Sequence, residues 1–285
     1  MPLRRIAFKQ YNEYNAEQRH LKEIRVSPTR TDDLRGHADR IIDIVHMDLA
    51  VSFNWDEHTC LGQATLRIKP YFLPTDSIVL DARNMTFQKI RILDAHGDEI
   101  RNLVDYNKRI LRLKLERPIL SNEEIKLEMD YVAHPDEAEN KKGRAIRDDK
   151  GLYFVNTDKS ETYQPMQLWT QGETESNSNW FPTIDHPHEK FTSVLQISAP
   201  AEMTILSNGR LISDQVSGSK HQQTWANEEP LPAYLLMMAI GNFKISKEQL
   251  DNLEISYYLE PDYHPYSAQI FRHTREMIDF FGGKL

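Results

Sequence analysis

Val45-His46-Met47-Asp48-Leu49-Ala50-Val51-Ser52-Phe53 is the stretch whose reading decides the fold. Val45, Met47, Leu49, Val51 and Phe53 are apolar, and His46, Asp48, Ala50 and Ser52 fall between them. In a pleated strand successive side chains leave opposite faces, so strict alternation marks a strand with one face buried and one wet. The pattern predicts such a strand from about Ile42 onward.

The same period recurs outward from it. Ala64, Leu66 and Ile68 alternate with Thr65, Arg67 and Lys69, and Leu111, Leu113 and Leu115 with Arg112 and Lys114. Ile125, Leu127, Met129 and Tyr131 alternate with Lys126, Glu128 and Asp130. Turn signals separate these runs: His96-Gly97-Asp98, Ser121-Asn122 and Asn208-Gly209. Further strands are expected over 191–198, 203–206 and 221–225, with a last alternating one through Ile255, Tyr257 and Leu259. The run from Tyr234 to Phe243 is apolar without alternation, as for a strand covered on both faces. Many short, one-side-wet strands imply a mainly β chain, an antiparallel sandwich or barrel.

Two segments depart from this pattern. Residues 1–40 carry no sustained period beyond a short helical stretch ended by Ser27-Pro28-Thr29, and they read as a lead segment. Residues 267–281 read as one helix, with Ile270, Met277, Ile278 and Phe281 on one face and Gly282-Gly283 as its stop. A helix after some two hundred residues of strand suggests a new domain. The expected division is therefore 1–40 lead segment, 41–250 β-sandwich domain, and 251–285 the start of a second domain. Residues 134–150 are charged and aperiodic, an exposed loop.

Composition narrows the function classes. The 285 residues are 39% hydrophobic with a formal net charge of −8. The early basic residues are interleaved with acidic ones, which argues against nucleic acid as a partner, since phosphate binding draws on clustered Lys and Arg. No apolar run approaches the roughly 20 residues of a membrane span. A single cysteine, Cys60, excludes an intrachain disulfide and a Cys-rich metal site. The first ten residues have no apolar stretch behind their positive charge, so no signal peptide is visible and a cytoplasmic setting is expected.

Chemistry-bearing residues gather in Trp169–Lys190, WTQGETESNSNWFPTIDHPHEK. Three readings compete. Asp185, His186, His188 and Glu189 could converge on a metal, although His188-Glu189 fails the H-E-x-x-H pattern because residue 192 is Thr. Glu173 and Glu175, two apart on a strand, could form an acid/base pair. A polar loop anchored beside a buried Trp180-Phe181-Pro182 corner is the structural alternative, and composition favours it. Cys60 with nearby His58 could form a Cys-His pair but reads better as a strand-edge coincidence. Serine-hydrolase and nucleotide-binding signatures are missing from the sequence.

Taken in order, several passages resemble the aminopeptidase N family of zinc metallopeptidases. Gly151-Leu152-Tyr153 is similar to its K-G-L-Y strand, and Gln171-Gly172-Glu173 to its Q-x-E motif. Phe181-Pro182 with Asp185 and Pro187 is similar to F-P-C-x-D-E-P, Ser207-Asn208-Gly209 to S-N-G, and Pro232–Phe243 to the strand that closes the family's first domain. Departures are Ser178 and Asn179 where basic residues are usual, Thr183 for Cys and His186 for Glu.

The resemblance implies a saddle-shaped β-sandwich over a thermolysin-like catalytic domain, of which the 267–281 helix would be the first. It implies that Gln171 and Glu173 bind the substrate α-amine, with peptides as substrates and the catalytic domain as partner. Zinc is implied for the full-length enzyme, and none is expected in this chain, which lacks G-x-M-E-N and H-E-x-x-H. No catalytic residue is assigned, and the chain alone is expected to be inactive. The alternatives are a β-sandwich binding module that uses Trp169, Trp180 and Tyr163 for carbohydrate or protein, or a catalytically dead scaffold.

Overall fold

Alternating burial marks several long strands of the chain, Thr59–Pro70 and Lys190–Pro200 among them; its computed structural model describes residues 40–138 and 149–283. Strands β1 (Ile42–Asn54) and β2 (Thr59–Pro70) form a hairpin, with His58 in its turn at φ 53°. β3 (Thr75–Asp81) and β4 (Met85–Leu93) follow, then β5 (Asn102–Tyr106), β6 (Ile110–Ile119) and β7 (Ile125–Ala133). Next among the described residues come the short strands β8 (Leu152–Val155) and β9 (Gln167–Thr170). Then follow β10 (Lys190–Pro200), β11 (Thr204–Ser207), β12 (Arg210–Ser217) and β13 (Lys220–Pro232). β14 (Met238–Gly241) precedes a hairpin of β15 (Lys244–Leu250) and β16 (Leu253–Leu259).

The largest sheet has the order β12-β13-β10-β1-β2-β7-β4, flanked by the smaller sheets β3-β6-β5 and β11-β14-β9-β8. Pairing is antiparallel except between β1 and β10, which run parallel from His46↔Thr192 to Val51↔Ile197. Adding a distant parallel strand to a hairpin edge is a long-range choice that alternation cannot encode. The fold is thus mainly β, as the sequence implies.

One core joins the three larger sheets. Met47, Leu49, Leu66, Ile68, Leu127 and Met129 of the seven-stranded sheet are buried in it. Leu111 and Leu113 of β6 enter the same cluster, as do Leu168, Ile205 and Ile240 of the four-stranded sheet. Each such side chain contributes about 1.5–3 kcal/mol on burial. At Gly62 an added Cβ would lie 2.1 Å from the ring of Tyr131, so the glycine makes room for that ring. The Tyr131 hydroxyl then donates to the Trp180 carbonyl at 3.0 Å and ties the sheet to the 171–189 segment.

Three sequence expectations change. The β1 alternation is not strict: register shifts between Ile44 and His46, so the buried series runs Ile42, Ile44, Met47, Leu49, Val51, with Val45 taken up by the bulge. The 234–243 run is not one strand: residues Ala233–Leu235 form a 3-10 turn, and only Met238–Gly241 pairs. The terminal helix is split into α1 (Ser267–Ile270) and α2 (Thr274–Gly282). At the break Phe271 stacks on Tyr257, with centroids 4.2 Å apart, a tertiary contact that outweighs continuous helix. Ile270, Met277 and Phe281 of the expected face are exposed.

The lead segment falls in residues 1–39 and most of the charged loop in 139–148, both outside the described residues. Residues Ile41–Leu285 form one compact unit, and the residue-250 boundary falls at the turn of the β15–β16 hairpin. No described helix is long and apolar enough to cross a membrane.

Candidate functional site

The segment from Gln171 to Glu189 leaves the end of β9 and is held by backbone-directed side chains. Gln171 N–H donates to the Gly151 carbonyl at 2.9 Å, which extends the β8–β9 pairing by one step. Gly172 then passes too close to its neighbours for any side chain: a Cβ would sit 2.2 Å from the Tyr234 carbonyl oxygen and 2.7 Å from the Asn177 amide. Gly151, at φ 72°, is placed as tightly: an added Cβ would lie 2.0 Å from the Ser176 carbonyl oxygen. The two glycines let the β8 start, the 171–176 turn and the 233–236 turn pack backbone to backbone.

Asn177 is the centre of this packing. It is fully buried, and its Nδ2 donates to the carbonyls of Ala233 (2.6 Å) and Leu236 (2.8 Å). Its Oδ1 accepts the Trp180 indole N–H at 2.8 Å. Asn179 Nδ2 donates to the Asp149 carbonyl at 2.8 Å, and Asp185 Oδ2 accepts the Ser178 N–H at 2.8 Å. Asp185 Oδ1 is buried without a hydrogen-bond partner among the described residues. Burial pushes its carboxyl up to about 7, against the opposing pull of the Ser178 N–H.

Against this fixed frame, Glu173 stands out. It is exposed, and its carboxylate has no hydrogen-bond or ion-pair partner among the described residues. Glu175 is half-buried 3.9 Å from the Arg83 guanidinium. Residues 173–176 form a turn closed by Ser176 N–H to the Gly172 carbonyl, not a strand, so Glu173 and Glu175 do not share a strand face. The premise of the acid/base pair is thereby removed.

The metal reading fares no better. The His186 and His188 rings lie 4.0 Å apart, tilted by 46°. Glu189 Oε1 accepts the Ile44 N–H at 2.5 Å in full burial, and Asp185 is engaged by Ser178. Among the described residues no group of three or more His, Cys, Asp or Glu is arranged to hold a metal ion. Cys60 is fully buried and its thiol is pushed far up by desolvation. His58 instead bonds Asp136 and Thr157, both at 2.7 Å, and stacks on Phe154.

Sequence reasoning singled out Gln171, Glu173 and Trp169 but missed Asn177, whose two carbonyl partners, Ala233 and Leu236, lie on a distant segment. It also missed the Tyr153–Trp169 stack, with centroids 4.6 Å apart and planes at 14°. Trp169 lies on β9, and Gln171 directly follows the strand's end. Trp180 is fully buried and no platform, whereas Tyr163 is 94% exposed.

Comparison with known proteins places this architecture. Residues 44–235 match the model of the Peptidase M1 N-terminal domain, and the chain belongs to that family. Among curated proteins it is 21% identical over 204 residues to leukotriene A-4 hydrolase of Xenopus laevis, covering 70% of this chain and 31% of that one. It is 23% identical to the puromycin-sensitive aminopeptidase of Caenorhabditis elegans over 192 residues, 66% of this chain and 19% of that one. It is equally 23% identical to transcription initiation factor TFIID subunit 2 of Gallus gallus over 256 residues, 81% of this chain and 22% of that one. In fold it is similar to the M1 zinc metallopeptidase of Deinococcus radiodurans, with a TM-score of 0.61 at 20% identity, covering 77% of this chain and 47% of that one. The chain thus spans less than a third of these curated relatives and about half of the solved structure.

Proposed function

We propose that this chain is the N-terminal domain of a zinc-dependent aminopeptidase and supplies the carboxylate that binds the α-ammonium of the peptide. The observation that carries the reading is Glu173: an exposed carboxylate with no partner among the described residues, in a loop otherwise fixed by buried hydrogen bonds. A carboxylate already held in place loses little freedom on binding an ammonium, and such charge-assisted hydrogen bonds are the strong ones. Gln171, one residue before Gly172, offers its side-chain amide to the same region. Anchoring a free amine at fixed distance from the reacting bond is what restricts cleavage to the first residue.

In this reading residues 1–40 lead into the sandwich of 41–250, and 251–285 begin the catalytic domain. Peptides and that domain are the partners. In this reading zinc is held by residues of the full-length enzyme, and this chain alone is inactive.

A second reading, a catalytically dead scaffold, is favoured by the similarity to TFIID subunit 2 over 81% of the chain. The reading frame beyond Leu285 separates the two, followed by zinc content and hydrolysis of aminoacyl amides by the full-length protein. An H-E-x-x-H motif with bound zinc and activity on free-amine substrates is expected. A full-length protein with no such motif and no activity overturns the enzyme reading.

A further inference from the structure

β8 is a four-residue edge strand whose one partner among the described residues is β9. The three residues entering it clamp the turn that carries Glu173. The Ser176 hydroxyl donates to the Asp149 carboxylate and also lies 3.3 Å from the Glu173 carbonyl oxygen. The Asp149 carbonyl accepts the Asn179 amide at 2.8 Å, and the Gly151 carbonyl accepts the Gln171 N–H at 2.9 Å. Asp149 and Gly151 thus hold the chain on both sides of Glu173.

Lys150, between them, is anchored elsewhere. Its Nζ lies 2.8 Å from Oδ1 of Asp136, in the 3-10 turn Pro135–Glu137. Asp136 Oδ2 bonds His58 Nδ1 at 2.7 Å. A carboxylate only accepts, so His58 presents Nδ1–H to it, and the neutral Nε2 accepts the Thr157 hydroxyl at 2.7 Å, two residues beyond the end of β8. The His58 ring stacks on Phe154 of β8, with centroids 5.0 Å apart. Burial works against the charge on Asp136, but hydrogen bonds from Lys150 and His58 prevail and hold its carboxyl below the usual range. One ionised carboxylate therefore secures β8 before its first residue through Lys150 and after its last through His58.

We propose that Lys150 and Asp136 are positioning residues for Glu173: their ion pair, braced by His58, fixes the Asp149–Gly151 clamp and through it the 171–176 turn. The inference rests on the proposed amine-binding role of Glu173 and adds the residues that keep that carboxylate in place. A ligand that meets a carboxylate already ordered does not bear the cost of ordering it, so loosening the clamp weakens binding without removing any contact to the ligand.

Two measurements test this together: nitrogen-15 relaxation on the 285-residue chain, and calorimetric titration of the full-length protein with L-alaninamide. Lys150→Met keeps the stem and removes the charge. Backbone order parameters at Glu173 and Ser176 should fall from about 0.85 toward about 0.6, while those of Leu127 and Met129 in β7 stay in the rigid range. Affinity for L-alaninamide should drop roughly threefold in Lys150→Met and in Asp136→Asn, the scale of substitutions acting from a distance, and Lys150→Arg should restore most of it. In a Glu173→Gln background Lys150→Met should cost almost nothing, because its effect runs through Glu173; a merely structural role gives the same loss in both backgrounds. Unchanged order parameters at Glu173 and Ser176 overturn the proposal. So does a loss that persists undiminished beside Glu173→Gln, or an affinity within about 1.5-fold of wild type in Lys150→Met when Glu173→Gln itself weakens binding. If Glu173→Gln leaves affinity unchanged while the order parameters still fall in Lys150→Met, the amine anchor is wrong and the clamp stands.

Discussion

Replacing Asn177 with Asp changes one NH2 group to oxygen and nothing in volume, yet it should unseat the loop that carries Glu173. In the wild type the Nδ2 group satisfies two carbonyls, those of Ala233 and Leu236, at 2.6 and 2.8 Å. Aspartate presents acceptor to acceptor at both contacts if ionised, and keeps one donor at best if protonated. At least one buried carbonyl then loses its bond from residue 177, at about 1–3 kcal/mol, and a charge is either buried or neutralised. Together these cost on the order of 4 kcal/mol, a large part of the roughly 5–15 kcal/mol stability of an ordinary domain. Urea denaturation followed by far-UV circular dichroism gives the difference as a shift in midpoint at constant slope. The loss should shrink on acidification, as the new carboxyl takes up a proton and regains one hydrogen bond. An Asn177→Asp protein within about 1 kcal/mol of wild type at neutral pH, the effect of an average substitution, would refute the claim that Asn177 fixes this loop.

Two further outcomes follow from the same frame. Burial holds Asp185 near 7, so between about pH 4 and 7 the folded chain keeps a proton that the unfolded chain has released. Its contribution is therefore complete below the unfolded value and lost as pH rises through the folded one, on the order of 4 kcal/mol in all; the stability difference between wild type and Asp185→Asn, measured by urea midpoints at pH 4.5 and 7.5, should move in that direction. Gly172→Ala drives a Cβ to within 2.2 Å of the Tyr234 carbonyl oxygen. It should destabilise by about 2 kcal/mol or more in thermal unfolding, because the obstacle is backbone.

Most of the sandwich was legible because its strands obey a local rule. Met47, Leu49 and Val51, or Leu111, Leu113 and Leu115, declare their buried face without reference to anything distant. What the sequence withheld depends on distant partners. The Val45 bulge answers to the register of β2, and the parallel union of β1 with β10 joins residues about 145 apart. The helix read over 267–281 breaks because Phe271 turns to stack on Tyr257. At the site, Gln171 and Glu173 were visible as an amine-binding pair only through the resemblance of the Q-x-E motif. Asn177 looked like any loop asparagine until the 233–236 turn was placed beside it. The Asp185–Glu189 cluster looked like a ligand set because composition does not reveal that Asp185 and Glu189 already accept backbone N–H groups.

The central claim, that Glu173 holds the substrate's α-ammonium, is tested most directly by the kinetics of Glu173→Gln in the full-length protein. The substitution removes the charge and keeps the shape. Hydrogen bonds to charged groups contribute about 1.5–3 kcal/mol, so kcat/KM on free-amine substrates should fall by roughly one to two orders of magnitude. Zinc content and thermal stability should stay at wild-type levels, and Glu175→Gln, whose carboxylate faces Arg83, should have a much smaller effect on kcat/KM. A Glu173→Gln enzyme whose kcat/KM stays within about twofold of wild type, well inside the loss expected for a charged hydrogen bond, would contradict the account.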